Sequence, residues 1–465
     1  MWATLGGAPF VTVSPRGLVN GLASTPNDGE DFGPDTYGST TSGIQEALNA
    51  VASSGGTVYC RKGTYSCSSP ITSTGSNQTI WFEPNSTILF ASATIPYAPP
   101  GTQSLMISVA SNIATSPTTY QNYSHVHWYG NGSTINVNGA GLSGNGTVVI
   151  GIVQVGFNTT ASPPAAGEDI IVDDFVILGV PNTSFFVSVQ NYESGISYTN
   201  QIRNVKVSRI HATWNASTTG ASGFVIQGSA REVVVEDCTI DTSALTSGVD
   251  CSNCFVHSNS GDCEQIRVTR CTFIQNGLSG QIMEIQGNAS GTNPSQRRDL
   301  HFVLIEDCIF NSGASSPVVG GSGGGYIDDN NGTGASGFVY DIEFRRCSFI
   351  NTAISFQSAG SQFGYLRFSD GAPSTSATYP TGFSGSLAGR GPNDPGVAVT
   401  VPASGSPYYN TDGFDEVVLV SGGTVTAIKR NGTTTGLTTG EFLLRDGDSL
   451  TVTYSVAPTM TKQSL

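Results

Sequence analysis

Three carboxylates in the middle of the chain are of a type and spacing that suit chemistry. Glu284 lies in QIMEIQG, and the pair Asp328 and Asp329 lies in GYIDDNNG. Each phrase belongs to a strand-like segment that recurs as GFVIQG, CFVHSN, IMEIQG, GYIDDN and AISFQS from Gly223, Cys254, Ile282, Gly325 and Ala353. With these phrases in register as written, Phe224, Phe255, Met283, Tyr326 and Ile354 turn inward, and so, two residues on, do Ile226, His257, Ile285, Asp328 and Phe356. The outer positions then carry Glu284 and a column of Gln227, Ser258, Gln286, Asp329 and Gln357. Segments stacked about 4.8 Å apart, with a two-residue offset of about 6.5 Å, set Glu284 and Asp329 roughly 8 Å apart. That falls in the range of roughly 6.5 to 9.5 Å at which one carboxyl protonates a glycosidic oxygen while the other activates water. Gln227, Gln286, Gln357 and Tyr326 are the candidate substrate-binding groups, and Trp128, Trp214, Tyr326 and Tyr365 are the aromatics to test for stacking on sugars. A charged Asp328 facing inward would be costly, so either the register shifts by one residue or a turn begins there.

Cysteines offer a second chemistry. The run CSNCFVHSNSGDC brings Cys251, Cys254, His257 and Cys263 into a metal-like spacing, with a local disulfide as the stronger alternative, and Cys60 and Cys67 flank a Gly-Thr-Tyr turn where a disulfide would fit. Cys238, Cys271, Cys308 and Cys347 read differently. They sit in VEDCTI, VTRCTF, IEDCIF and FRRCSF at separations of 33, 37 and 39 residues, a stack of small buried side chains at one position of successive repeats. Nine cysteines are an odd number, so they cannot all pair within one chain. The site proposed on the carboxylates needs no metal, and no cofactor motif is read.

The elements that must position these groups follow from the repeat. A strand precedes a turn, a second strand (EVVVEDCTID, QIRVTRCTFIQN, HFVLIEDCIFN, DIEFRRCSFIN) ends near the cysteine, and no helix intervenes. Each strand must therefore pair with its copy in the next repeat, which predicts an all-β, right-handed parallel β-helix over 41–369. One helix is predicted over 42–53, with Ile44, Leu48 and Val51 on one face, Ser42 as N-cap, and the role of closing the solenoid's open end. Residues 1–40 form an N-terminal segment. A Gly, Pro, Ser and Thr-rich stretch over 370–395 reads as a linker, and short alternating strands over 396–458 predict a small β-sandwich.

Composition narrows the partners. A net charge of −15 with only 11% charged residues argues against nucleic acid and anionic membranes, which need a basic face. No run of about 18 apolar residues predicts a membrane span. MWATLGGAPFVTVSPRG has no basic region followed by an apolar core, so if the protein works outside cells the expectation is either a leader that this sequence does not include or exit by cell lysis, as for virion proteins. Eleven Asn-x-Ser/Thr sequons, from Asn77 to Asn431, would suit a glycosylated outer surface.

The segment GIQEALNAVASSGGTVYCRKGTY from Gly43, followed by NQTIWFEPNSTILF, resembles the entry of the pectate-lyase-like β-helix superfamily, most specifically at Ile44, Gln45, Ala47, Gly55, Gly56, Thr57, Val58, Gly63, Thr64 and Tyr65. That superfamily includes pectate lyases, polygalacturonases and the tailspikes of bacterial viruses, so the resemblance implies the fold and a carbohydrate partner but leaves lyase, hydrolase and adhesin open. The polygalacturonase phrases have no counterpart here, nor does the Asp cluster with a downstream Arg of calcium-dependent pectate lyases. The C-terminal phrases VSGGTVTAI, TTGLTTGEFLL and GDSLTVTYSVAPT resemble small β-domains at the ends of phage and archaeal virus fibres. Together these imply a homotrimeric spike or fibre at the virion surface, extracellular and in contact with other virion proteins, that binds host-surface glycan and, in its enzymatic version, depolymerises it. A secreted polysaccharide lyase or glycoside hydrolase, and a non-catalytic structural or adhesive protein, are the alternatives.

Overall fold

A computed structural model describes residues 3–5, 8–16, 31–90, 104–111, 121–137, 147–156, 167–179, 185–193, 201–213, 222–244, 252–258, 262–276, 281–287, 300–313, 325–328, 339–357, 366–369, 387–388, 397–410, 416–445 and 447–464. The chain winds as a parallel β-helix. Nine strands, from Ile71–Thr72 through Ser222–Gln227, Ser252–His257, Gln281–Gln286 and Gly325–Asp328 to Ile354–Gln357, pair in chain order and all in parallel. A continuous twenty-stranded sheet covers the rest of the solenoid, and most coils give it two strands, such as Ala230–Glu236 and Thr239–Asp241.

Those two strands meet at a corner that recurs from coil to coil. Asp174, Arg209, Asp237, Arg270, Asp307 and Arg346 occupy it on six successive coils, all with φ between 51 and 60°. One left-handed residue turns the chain sharply without lengthening it. The side chains alternate in sign along the stack, and Arg270 and Arg346 each lie 2.7 Å from the aspartate of the preceding coil, Asp237 and Asp307. The next residue turns inward: Phe175 and Ile210, then Cys238, Cys271, Cys308 and Cys347, all buried. The expected cysteine stack is therefore present, and each thiol donates to the carbonyl two residues back, such as Cys271 to Thr269 at 3.3 Å and Cys308 to Glu306 at 3.3 Å. A small polarisable side chain thus both fills the corner and satisfies its carbonyl. Beyond it, Phe273, Phe310 and Phe349 stack with ring centroids 5.2 and 5.4 Å apart.

The N-terminal end is closed by the helix Ile44–Ala50, which buries Ile44, Ala47 and Leu48. It is shorter than the predicted span, and Ser42 is not its cap. Gly43 takes the N-cap position at φ 88°, and the Ser42 hydroxyl instead donates to Ser66 O at 2.8 Å. The Thr41 hydroxyl serves the helix, accepting from Gln45 N–H at 3.0 Å. Gln45 stands in for a missing strand. Its amide accepts from Thr72 N–H at 2.8 Å and donates to Thr72 O at 2.9 Å, so the outermost strand of the nine-stranded sheet is paired by a side chain. Gly56, at φ 140°, begins the first strand after the helix where a Cβ would lie 2.4 Å from Pro9 O, which explains the Gly-Gly-Thr-Val phrase.

Two four-stranded antiparallel sheets form the C-terminal β-sandwich. Val418, Val420, Ile428, Phe442, Leu444, Leu450, Val452 and Met460 pack between them. The strand Thr459–Ser464 runs past residue 458 and pairs with both Val397–Val399 and Glu416–Ser421.

Candidate functional site

The nine-stranded sheet carries Glu284, and its register differs from the one read in the sequence. Phe224 pairs with Cys254, not Phe255, and the inward column runs Phe224, Cys254, Met283, Gly325, Ile354. The next inward column is Ile226, Val256, Ile285, Ile327, Phe356. The one-residue shift in two coils has a plain cause. It places a branched aliphatic residue inside three coils in a row, Ile226, Val256 and Ile285, sets Ile327 at the matching register position, and assigns His257 and Asp328 to the other column.

Phe255, Tyr326, His257 and Asp328, all expected inside, therefore occupy outward register positions. One outward column is Ser188, Val225, Phe255, Glu284, Tyr326, Ser355. The other is Gln190, Gln227, His257, Gln286, Asp328, Gln357. Gln227, Gln286 and Gln357 thus share a column as expected, with His257 and Asp328 in the places assigned to Ser258 and Asp329. Asp329 lies outside the described residues, as do Trp214 and Tyr365. Glu284 and Asp328 are one coil and two residues apart, so the spacing of about 8 Å between backbone positions expected for Glu284 and Asp329 falls to this pair.

This face is polar yet well screened. Ser188, Gln190 and His257 are buried, while Gln227, Phe255, Glu284 and Gln286 are partly exposed. Gln190 donates its amide to Gln227 Oε1 at 2.8 Å, the first rung of a ladder, and Phe255 meets the His257 ring edge-on at 4.9 Å. Gln190 Oε1 and Ser188 Oγ are buried with no hydrogen-bond partner among the described residues, so each has acceptor capacity left for a water or another polar group. Gln190 is absent from the sequence-based candidates because FFVSVQNYE falls outside the aligned repeats. Its Val-Ser-Val-Gln at 187–190 matches Phe-Val-Ile-Gln at 224–227 as apolar, any residue, aliphatic, Gln, and that is the signal that could have found it.

The cysteine candidates do not assemble. Cys254 turns inward and His257 outward from the same strand, so the spacing that looked metal-like is split across two faces. Cys254 and Cys263 are free thiols, buried, and burial pushes that of Cys254 up to about 12. Cys251 lies outside the described residues. Cys60 and Cys67 are also free and buried, so the expected disulfide is absent, with the Cys67 thiol 3.7 Å from Tyr65 O. Among the described residues no cluster of three His, Cys, Asp or Glu side chains could hold a metal, and no helix is long and apolar enough to cross a membrane. Trp128, a candidate for sugar stacking, is inside the solenoid, where its indole N–H donates to Ser73 Oγ at 3.2 Å.

No protein-family model matches the chain, and no curated protein matches it in sequence. Among solved structures it is similar to the tailspike protein of E. coli bacteriophage HK620 in complex with a pentasaccharide, at 12% identity and a TM-score of 0.41 over 91% of this chain and 89% of that one. It is similar also to the A-module of the Azotobacter vinelandii mannuronan C-5 epimerase AlgE4, at 15% identity and 0.30 over 74% of this chain and 95% of that one. A third is the endo-xylogalacturonan hydrolase of Aspergillus tubingensis, at 12% identity and 0.30 over 82% of this chain and 100% of that one. Likeness at this level says nothing about the chemistry of this chain.

Proposed function

We propose that the outer face of the nine-stranded sheet is a glycan-binding groove, and that the protein is a tailspike-like or fibre-like component of a virion surface that binds, and cleaves, a host-surface polysaccharide. The observation that carries this reading is the pair of outward columns. Amides and a histidine repeat at one rung spacing beside Glu284, whose rung neighbours are Phe255 and Tyr326. Amide side chains that donate and accept suit the hydroxyls of successive sugar residues, and aromatic residues in the adjoining column suit their apolar faces.

Cleavage would use Glu284 with Asp328 or Asp329. One carboxyl protonates the glycosidic oxygen as the bond to the anomeric carbon breaks. The other takes a proton from a water that attacks that carbon from the opposite face, for which a separation of roughly 6.5 to 9.5 Å leaves room. The assembly part of the reading, a homotrimer at the virion surface, is supported by the fibre-like phrases of the C-terminal sandwich and is read by sedimentation.

The test measures reducing-sugar release, and the absorbance of unsaturated products, on a panel of microbial capsular and plant polysaccharides. Glu284→Gln should lower release by about 10² to 10⁴ fold with glycan binding retained, and Asp328→Asn or Asp329→Asn should do the same for the partner carboxyl. Full activity in Glu284→Gln would sink the catalytic assignment. Binding without release by the native chain would leave a non-catalytic adhesin.

A further inference from the structure

A second outer face carries aromatic residues that the groove does not use. Tyr59, Trp81 and Tyr129 occupy one register position on three successive coils of the long sheet. Their neighbours Val58, Cys60, Ile80, Phe82 and Trp128 fill the core, so alternation turns these three rings outward. Trp81 is 39% exposed, and its ring lies 5.2 Å from that of Tyr129. Beside this stripe runs a second outward column of Thr57, Thr79 and His127.

The stripe is interleaved with charge and hydrogen bonds. The Tyr59 hydroxyl donates to Glu83 at 3.0 Å, and Glu83 also holds Arg61 at 3.2 Å and accepts from Lys62 N–H at 2.7 Å. Farther along, His125 Nδ1 and His127 Nε2 both lie on one oxygen of Asp169, at 2.8 and 3.2 Å. A partner protein or second copy seated here would have to strip water from these groups, a desolvation cost that its own side chains would have to offset. A ligand with apolar faces and a rim of hydroxyls covers the rings and keeps the polar groups bonded. Arg61, Arg203, Lys206 and Arg209 each already hold a carboxylate, and the chain carries a net charge of −15, so the stripe is not built for a polyanion.

We infer that Tyr59, Trp81 and Tyr129 form a second glycan platform, separate from the groove, which takes a linear neutral polysaccharide lying along the solenoid axis with sugar rings stacked on the aromatic ones. It shares only the class of ligand with the groove reading, and the two fail separately, because groove activity is read by release in Glu284→Gln and platform binding by titration.

The experiment titrates the full-length protein with neutral hexasaccharides of the cello, laminari, manno and xylo series, and with oligogalacturonate as the anionic control, following tryptophan fluorescence and heat. Trp81→Ala should weaken binding of a neutral oligosaccharide by about tenfold or more, and Trp81→Phe should restore most of it. Melting temperature checks that each variant is folded, and the two substitutions at one position separate loss of stacking from loss of structure. The inference falls if no neutral series binds, if only oligogalacturonate binds, if Trp81→Ala binds as tightly as the native chain, or if Trp81→Ala lowers the sedimentation coefficient, which would make the stripe a subunit interface.

Discussion

Gln45→Glu exchanges one amide nitrogen for an oxygen at the solenoid's closed end, and its effect follows from two distances. The native amide pairs Thr72 through an accepted bond of 2.8 Å and a donated bond of 2.9 Å. A carboxylate keeps the first and sets an oxygen against the Thr72 carbonyl in place of the second. Leaving that buried carbonyl unpaired costs about 1–3 kcal/mol, offset by about 0.3–1 kcal/mol because an added negative charge in the first helical turn is favourable. A net loss of about 1–2 kcal/mol makes local opening roughly 5 to 30 times more frequent, at about 1.36 kcal/mol per factor of ten. Hydrogen exchange read by mass spectrometry on peptides spanning residues 69–75 should quicken by that factor, while coils distant from the helix keep their protection, since solenoid units contact only their neighbours. Acid supplies an internal control. Once protonated, the introduced carboxyl regains a donor, so protection corrected for intrinsic rates should recover below about pH 4. Equal exchange in both proteins, or a loss that acid does not reverse, would refute the account of Gln45 as a surrogate strand.

Two further outcomes are expected. Asp448 accepts from Arg430 at 2.7 Å, from Arg445 N–H at 3.0 Å and from Asn431 at 2.7 Å, and the Arg430 guanidinium first, then these N–H groups, hold its carboxyl down at about 2. Because the folded value is depressed, its contribution to stability is complete above the unfolded value of about 4 and is lost as pH falls toward the folded one, so Asp448→Asn should lower the sandwich's melting temperature at about pH 7 and erase its dependence on pH across that window. The eight described cysteines are buried and unpaired, and burial pushes the Cys254 thiol up to about 12, so native protein at about pH 8 should take up no alkylating reagent at these positions while denatured protein, without reductant, takes it up at all of them. Protection that survives denaturation would reveal disulfides.

The winding of the chain is legible because four successive coils repeat a strand, a sharp corner and an inward cysteine, and no other packing explains four such phrases in series. Register is not. In Cys254-Phe255 and Gly325-Tyr326 two residues that can both face inward stand side by side, and alternation alone cannot choose between them. What decides is the next pair, because only the shifted register keeps Val256 and Ile327 in line with Ile226 and Ile285. Glu284 falls on the outer face either way, since Met283 and Ile285 flank it unambiguously. Trp128 is misjudged when read by residue type alone. Val126 and Trp128 share one parity in HVHWYG, and that parity is the buried one. The same test applied to QTIWF turns Trp81 outward between Ile80 and Phe82. The Gln45 contact with Thr72 has no local signal, because its partner lies 27 residues away.

The corner residues carry one more implication. Because Asp174, Arg209, Asp237, Arg270, Asp307 and Arg346 alternate in sign from coil to coil, the solenoid counts in twos. Splicing in one extra coil, or removing one, would set two like charges on neighbouring rungs about 4.8 Å apart. Splicing in a pair would leave the alternation intact. The alternation over these six coils therefore favours lengthening or shortening the body in steps of two coils, and the length of the nine-stranded sheet would change in the same steps.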